Sequence, residues 1–464
     1  MNKTYFYTPE DLPVMDLDQI YMTSSAYLAT GFKDVWATFD LLVRDMPKHR
    51  NFLVFTGLEE MIRGIMAWRY KPWHIRLLQK RQLISPEFSK YLARFKFSGS
   101  VYAMKEGTIF FPGEPVLRIT APIIEANLLT AFLITSLTSN TIYASKYIRC
   151  VIAARHLHVI GTGPNRCASF EHAFKAERSA YITGSHQIPS PVVREKLSLP
   201  MGDNATIAYH AFISSYPTEL EAMKAATDNS FIDLSLMIDT YDIKQGLRNA
   251  IAIAKKIKEQ KKNLKIVLDS GDVLSQCRYV RKELDKAGLK DVRITLAGNL
   301  DEYKIDKMVK AGVPANTFIV ATEAQTSSDD PKLEAVYKLS ELIKDGKSDY
   351  KMKLSPGKVS LPGRKQVFRI FESGFFKKDV IGLEGEHLGK LLLVPMIKNG
   401  KLVYHLPHVT KIRSNVEAQL KQLPPRFKEV NKEYGYPVEI SAMLKHLTQE
   451  IKKKHLAQYL CDEE

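Results

Sequence analysis

Cysteine is scarce in this chain. Cys150, Cys167, Cys277 and Cys461 are scattered without paired spacing, so neither a disulfide framework nor a zinc site is expected, and a reducing cytoplasm fits. Long uninterrupted apolar runs are missing as well. The most apolar stretch, residues 121–137, contains Glu125 and Asn127 and is punctuated by threonines, so it reads as a buried helix and not as a membrane span. No basic-then-apolar leader opens residues 1–11, and a secretory signal is not expected. Internal repeats and low-complexity linkers are also lacking, which excludes a repeat array. No nucleic-acid module or glycine–aromatic signature is present.

What is present is ordinary in bulk and unusual in charge. Its 464 residues allow two or three domains and a large core, and 45% hydrophobic with 25% charged residues fits a soluble globular protein. The net charge of +16 is partly accounted for by lysine runs at 255–262 and 452–454, which read as solvated helix faces. The remainder could bind nucleic acid or steer a polyanionic small molecule toward a cleft.

Two acidic signatures carry more. Leu234-Ser-Leu-Met-Ile runs into Asp239-Thr-Tyr-Asp242, and Ile266-Val-Leu runs into Asp269-Ser-Gly-Asp272, with a helical segment at 243–262 between them. Apolar strands that end in carboxylate pairs, about thirty residues apart, are what adjacent strands of an α/β barrel look like when their C-terminal ends carry chemistry. Such carboxylates can hold a divalent metal, bind sugar hydroxyls or stabilise a developing cation. The plainer alternative is that each Asp caps the helix that follows.

Around these signatures the chain divides into three. Residues 1–154 form an N-terminal α+β domain, with turn-punctuated β runs at 97–120 that suggest a small antiparallel sheet, then a helix at 128–154. Residues 155–348 alternate strands (159–160, 206–208, 234–238, 266–268, 293–296, 318–320) with helices, which implies parallel strands and an α/β barrel or doubly wound sheet. Residues 349–464 return to β runs and then to amphipathic helices from about 410 to 460, completing the N-terminal lobe.

Ordered matches then run nearly end to end with one family. They include Gly113-Glu-Pro-Val-Leu-Arg-Ile-Thr-Ala-Pro, Ser179-Ala-Tyr-Ile-Thr-Gly, Tyr216-Pro-Thr-Glu-Leu-Glu-Ala and Ile238-Asp-Thr-Tyr-Asp. Further matches are Leu268-Asp-Ser-Gly-Asp, Gly298-Asn-Leu-Asp-Glu-Tyr, Ala335-Val-Tyr-Lys-Leu, Pro362-Gly-Arg-Lys-Gln-Val and Gly389-Lys-Leu-Leu-Leu-Val-Pro. The chain resembles the nicotinate phosphoribosyltransferases, type II phosphoribosyltransferases. That resemblance implies an irregular α/β barrel with a β-rich N-terminal domain and a C-terminal α+β extension, in a cytoplasmic homodimer with active sites at the interface. It implies a reaction of nicotinate with phosphoribosyl pyrophosphate, assisted by ATP and Mg2+, that yields nicotinate mononucleotide.

Matched position by position, the resemblance assigns His210 as the residue phosphorylated by ATP. Asp239 and Asp269 become metal- or ribose-facing acids and Arg166 a phosphate or carboxylate ligand. Ser190, Gly298, Asn299 and Thr322 fall in phosphate- and sugar-binding segments. The chain also departs from the pattern. Of the family's acid-Phe-Gly-x-Arg-Arg motif, Gly161-Thr-Gly-Pro-Asn-Arg166 keeps only Gly163 and Arg166. Val267 stands where an arginine is usual, and Ile319-Val-Ala-Thr322 replaces a glycine-rich phosphate loop that β-branched Ile319 would close to phosphate. Lys353, Lys358, Arg364 and Lys365 read as a phosphate-binding cluster or a solvated loop, and Lys175, Glu177 and Arg178 as an exposed helix face. Two functions therefore stand: the transferase itself, or a repurposed homologue that binds a nucleotide, a protein or nucleic acid.

Overall fold

Six apolar runs become six short strands: His158–Gly161, Ala205–Ala208, Asp233–Met237, Leu264–Leu268, Arg293–Leu296 and Thr317–Val320. The computed structural model describes residues 8–161, 163–200 and 205–461, so Thr162 of the Gly161–Arg166 segment lies outside the described residues. Numbered one to six along the chain, the strands are parallel and lie in the order one, six, five, four, three, two. Leu234, Leu236, Ile266, Leu268, Ile294, Leu296, Phe318 and Val320 are fully buried, as strands covered on both faces require. Helices Glu219–Asn229, Ile243–Glu259, Val273–Lys286 and Glu302–Lys310 return the chain between strands two and six. This is the expected α/β class, and among the described residues strands one and two form the two ends of the sheet.

The N-terminal lobe is built on a larger sheet than residues 97–120 suggest. Seven strands take part, in the order Lys347–Tyr350, Ala335–Lys344, Trp36–Val43, Pro115–Pro122, Ser100–Met104, Leu393–Lys398 and Lys401–Leu402. Ala335–Lys344 falls within the stretch assigned to the barrel, yet it pairs antiparallel along Trp36–Val43, with Phe39 opposite Leu339. A ladder across three hundred residues leaves no local trace in the sequence, so that boundary could not be read from pattern alone.

The apolar stretch 121–137 is not one helix. It begins in the end of strand Pro115–Pro122, continues through the short helix Ile123–Asn127 and enters the long helix Thr130–Ala154. Glu125 is accommodated because its carboxylate accepts the Ser98 backbone N–H and hydroxyl. Thr130–Ala154 is the spine of the molecule. Leu133 and Leu137 pack in the N-terminal core, Ala144 and Ile148 in the C-terminal core, and Tyr147 and Cys150 beneath the parallel sheet. Among the described residues no helix is long and apolar enough to cross a membrane.

Candidate active site

The two acidic signatures divide their labour. In each, the second Asp is a helix cap: Asp242 accepts the Gln245 N–H at 2.8 Å and Asp272 accepts the Ser275 N–H at 3.2 Å. The first Asp turns elsewhere. Asp239, at the end of strand three, uses one oxygen to accept the backbone N–H groups of Asp269 and Ser270, both at 2.9 Å, and the Ser270 hydroxyl at 2.8 Å. Its other oxygen, Oδ1, is buried with no hydrogen-bond partner among the described residues. A buried carboxylate oxygen left without a donor is held ready for a ligand or a cation.

Around these acids the neighbouring strand ends contribute the rest. His210 follows strand two; its Nδ1 lies 3.0 Å from the Thr240 hydroxyl and its Nε2 3.9 Å from Asp269 Oδ2. Burial and the Asp239 charge raise the Asp269 carboxyl above its ordinary value, while His210, Arg166 and the Gly298 backbone N–H oppose that rise. The charge of Arg166, after strand one, thus reaches Asp269, although two strands separate them in the ladder. Gly298 is required by geometry: at φ +87° a Cβ there would lie 2.2 Å from the Asp269 carbonyl oxygen. Asn299 continues the turn in the left-handed region at φ 48°, and its carbonyl accepts Lys304 Nζ at 2.6 Å. His210, Asp239, Asp269, Gly298 and Arg166 therefore surround one mouth.

Thr322, after strand six, and Ser190, in the loop that precedes the helix Pro191–Lys196, stand apart from these contacts. Thr322 opens the short helix Thr322–Gln325, and Ser190 donates to Glu177 through its hydroxyl at 2.5 Å and its N–H at 3.2 Å. Glu177 lines a narrow cavity together with Gly161, Pro189 and Gln325. Cys167 beside Arg166 donates to Gln325 Oε1 at 3.2 Å, and burial with the Glu177 charge pushes its thiol up to about 11, so it stays protonated at neutral pH.

The molecule resembles known proteins over nearly its whole length. Family models for the nicotinate phosphoribosyltransferase N-terminal and C-terminal domains match residues 14–138 and 389–448. Nicotinate phosphoribosyltransferase pncB2 of Mycobacterium tuberculosis is 33% identical, over 92% of this chain and 90% of its own. The Bacillus subtilis nicotinate phosphoribosyltransferase is 30% identical over 92% of each. This chain belongs to the nicotinate phosphoribosyltransferase family. In fold, human nicotinic acid phosphoribosyltransferase superposes with a TM-score of 0.81 at 21% identity, over 94% of this chain and 99% of that one. The nicotinate-nucleotide pyrophosphorylase of Pyrococcus furiosus gives 0.72 at 22% identity, over 94% and 100%.

Within the nicotinate phosphoribosyltransferase frame several assignments change. Ile319 does not sit in a loop: it is the third residue of strand six, opposite Ile160, and the turn begins at Ala321. The basic cluster at 353–365 separates. Lys365 is buried on Asp40 at 2.8 Å and Arg364 pairs with Glu341 at 2.7 Å, so neither is a free phosphate ligand. Glu177 and Arg178 do not form an exposed face. Both are buried, Glu177 under Ser190 and Arg178 on Glu106 at 2.5 Å, while half-buried Lys175 pairs with Glu60 and Glu171. Two hydroxyls escaped sequence reasoning, Thr240 under His210 and Ser270 under Asp239. The signal was there: each directly follows the first Asp of its signature.

Proposed function

We propose that this protein transfers the phosphoribosyl group of phosphoribosyl pyrophosphate to nicotinate, giving nicotinate mononucleotide and pyrophosphate for NAD synthesis. The observation that carries this is the convergence of His210, Asp239, Asp269 and Arg166 on one mouth in a chain 33% identical to a nicotinate phosphoribosyltransferase. As pyrophosphate departs, the anomeric carbon becomes cationic, and Asp239 and Asp269 are the acids placed to stabilise it. The Gly298 turn and Thr322 offer backbone and hydroxyl donors to phosphate and ribose, Asn299 a side-chain amide, and Arg166 a cation for phosphate or for the nicotinate carboxylate. Ser190 is already committed to Glu177, so its part is to shape the loop beside strand one.

ATP use would run through His210, held by Thr240 so that Nε2 faces the acids; phosphorylation would occur there. Mg2+ suits this donor set: Asp269 and the unpartnered Asp239 Oδ1 are hard oxygen ligands that would hold the ion beside substrate phosphates. Bound there, it would neutralise charge on the departing pyrophosphate. A separate group of cations lies on the N-terminal sheet around strand Ala335–Lys344. Burial and the charges of Arg44, Lys353 and Lys358 hold the Lys338 ammonium below its ordinary value, so these four cations stand close together. A cytoplasmic homodimer completes the reading, and exposed Ile207, Tyr209 and Tyr241 beside the mouth are surfaces that a partner would cover.

The test is to incubate purified protein with phosphoribosyl pyrophosphate, ATP, Mg2+ and a panel of pyridine bases, and to separate the mononucleotides. Nicotinate mononucleotide as the main product is expected. A folded protein that forms no mononucleotide and shows no thermal shift with phosphoribosyl pyrophosphate contradicts the proposal and favours the repurposed homologue.

A further inference from the structure

Behind the mouth lies a group of buried charges that touches none of the residues assigned above. Lys146, midway along the spine helix Thr130–Ala154, is 1% exposed in its side chain, and its ammonium lies 2.6 Å from Glu302 Oε2 and 3.2 Å from Asp329 Oδ2. Glu302 is fully buried and accepts Arg149 Nε at 2.7 Å on its other oxygen. Asp329 accepts from both terminal guanidinium nitrogens of Arg50, at 2.6 and 3.0 Å, and Arg50 also donates to the Ser327 hydroxyl. Burial alone would raise the Glu302 carboxyl, but Lys146 and Arg149 outweigh it and hold the group ionised.

The position of these acids gives the cluster its meaning. Glu302 lies three residues beyond Asn299, in the first turn of a helix that Asp301 caps and whose Lys304 ammonium bonds the Asn299 carbonyl. Asp329 lies just past Thr322–Gln325, in a turn held by Ser327 at φ 49° and by Thr326, whose N–H and hydroxyl both bond the Thr322 carbonyl. Strands five and six, which deliver the two turns, are ladder neighbours. One ammonium thus spans the acids behind both turns. Burying ions in this way adds little net stability compared with apolar packing of the same volume, because desolvation offsets the attraction. What it does supply is a fixed distance.

We infer that Lys146, through Glu302 and Asp329, is a positioning residue that sets the spacing of the Gly298–Asn299 and Thr322 turns, and with it the grip on phosphoribosyl pyrophosphate. The inference rests on the proposed reaction for its substrate. None of the three side chains touches substrate; each acts through the turn it anchors. A shift of about 1 Å in such a turn can lower the rate a hundredfold, so loosening the brace should register strongly in the substrate those turns hold.

The experiment compares wild type with Lys146→Met, Lys146→Arg and Glu302→Gln. Each is followed by melting temperature, by KM for phosphoribosyl pyrophosphate and for nicotinate separately, and by the thermal shift that phosphoribosyl pyrophosphate produces. Folded Lys146→Met should raise KM for phosphoribosyl pyrophosphate at least about tenfold, with KM for nicotinate within about twofold. Lys146→Arg, which keeps the charge and N–H donors for both acids, should recover most of that loss. Equal changes in both KM values, no change in either, or no recovery with Arg would overturn the inference. If Lys146→Met fails to fold, Glu302→Gln carries the same test with the same expected split. Wild type without turnover contradicts the proposed reaction, and the binding shift of wild type against the variants then decides the brace. Wild type that neither turns over nor binds overturns both.

Discussion

Two groups of carboxylates in this molecule stand in opposite situations. At the mouth, Asp239 and Asp269 stand half-exposed at strand ends; one oxygen of Asp239 has no partner among the described residues, and burial, then the Asp239 charge, raise the Asp269 carboxyl. In the braces behind and below, Glu302, Asp329 and Asp379 are packed against cations at 2.5 to 2.7 Å, and the oxygens of all three are engaged. The contrast teaches where to look for chemistry. Satisfied acids hold elements together, whereas acids left unsatisfied at a strand end are available to a ligand. The acidic signatures show both situations within four residues, since Asp272 is spent on a cap and Asp269 is not.

The comparison can be broken most forcefully in the C-terminal core. Asp379 is fully buried and is bound by Arg369 and by the Tyr436 hydroxyl. Asp379→Asn removes the carboxylate that binds Arg369 directly and should cost about 3–5 kcal/mol in urea unfolding, with KM values of the surviving folded protein unchanged. At the mouth the pattern should invert. Asp269→Asn should lower kcat/KM about 10²–10³-fold while the unfolding midpoint stays close to wild type. A large stability loss there, or a large KM change from Asp379→Asn, would erase the distinction.

A pH series sharpens it further. Glu114 is fully buried; burial, then the Asp379 charge and a hydrogen bond with Asp379, raise its carboxyl well above its ordinary value. The folded protein therefore keeps a proton that the unfolded chain releases near 4.5. Stability from this group is complete below that value and declines as pH rises toward the folded one, by about 1.4 kcal/mol per pH unit within the window. Glu114→Gln replaces the acid proton with an amide donor and should flatten the decline above pH 4.5. An unchanged decline would show that Glu114 is not its source. The smallest effect belongs to the caps: Asp272→Ala should cost about 1 kcal/mol of stability and leave activity within about twofold.

Much of this was legible in the chain. All six parallel strands were readable because they are short apolar runs bounded by polar turns, four of them covered on both faces, and the run at 318–320 placed Ile319 in a strand in spite of its alignment with a phosphate loop. Charged residues were the weak point. Glu177 and Arg178 look solvated on a helical wheel, yet their partners are Ser190, 13 residues away, and Glu106, 72 away. Glu302 lies in the matched Asn-Leu-Asp-Glu-Tyr segment, where it passes for a helix-start acid; only the spine helix, more than 150 residues earlier in the chain, reveals its partner. Local pattern carries burial and period, but the pairing of distant charges is a property of the folded molecule.

The central claim is that the mouth transfers a phosphoribosyl group and that Asp269, not its capping neighbour, serves that transfer. Its most direct test is the initial rate of nicotinate mononucleotide formation by wild type, Asp269→Asn and Asp272→Ala, side by side at saturating Mg2+ and ATP. The account predicts product from wild type, nearly the same rate from Asp272→Ala and a loss of about 10²-fold or more from Asp269→Asn. No product from folded wild type, or equal rates from the two variants, would contradict it.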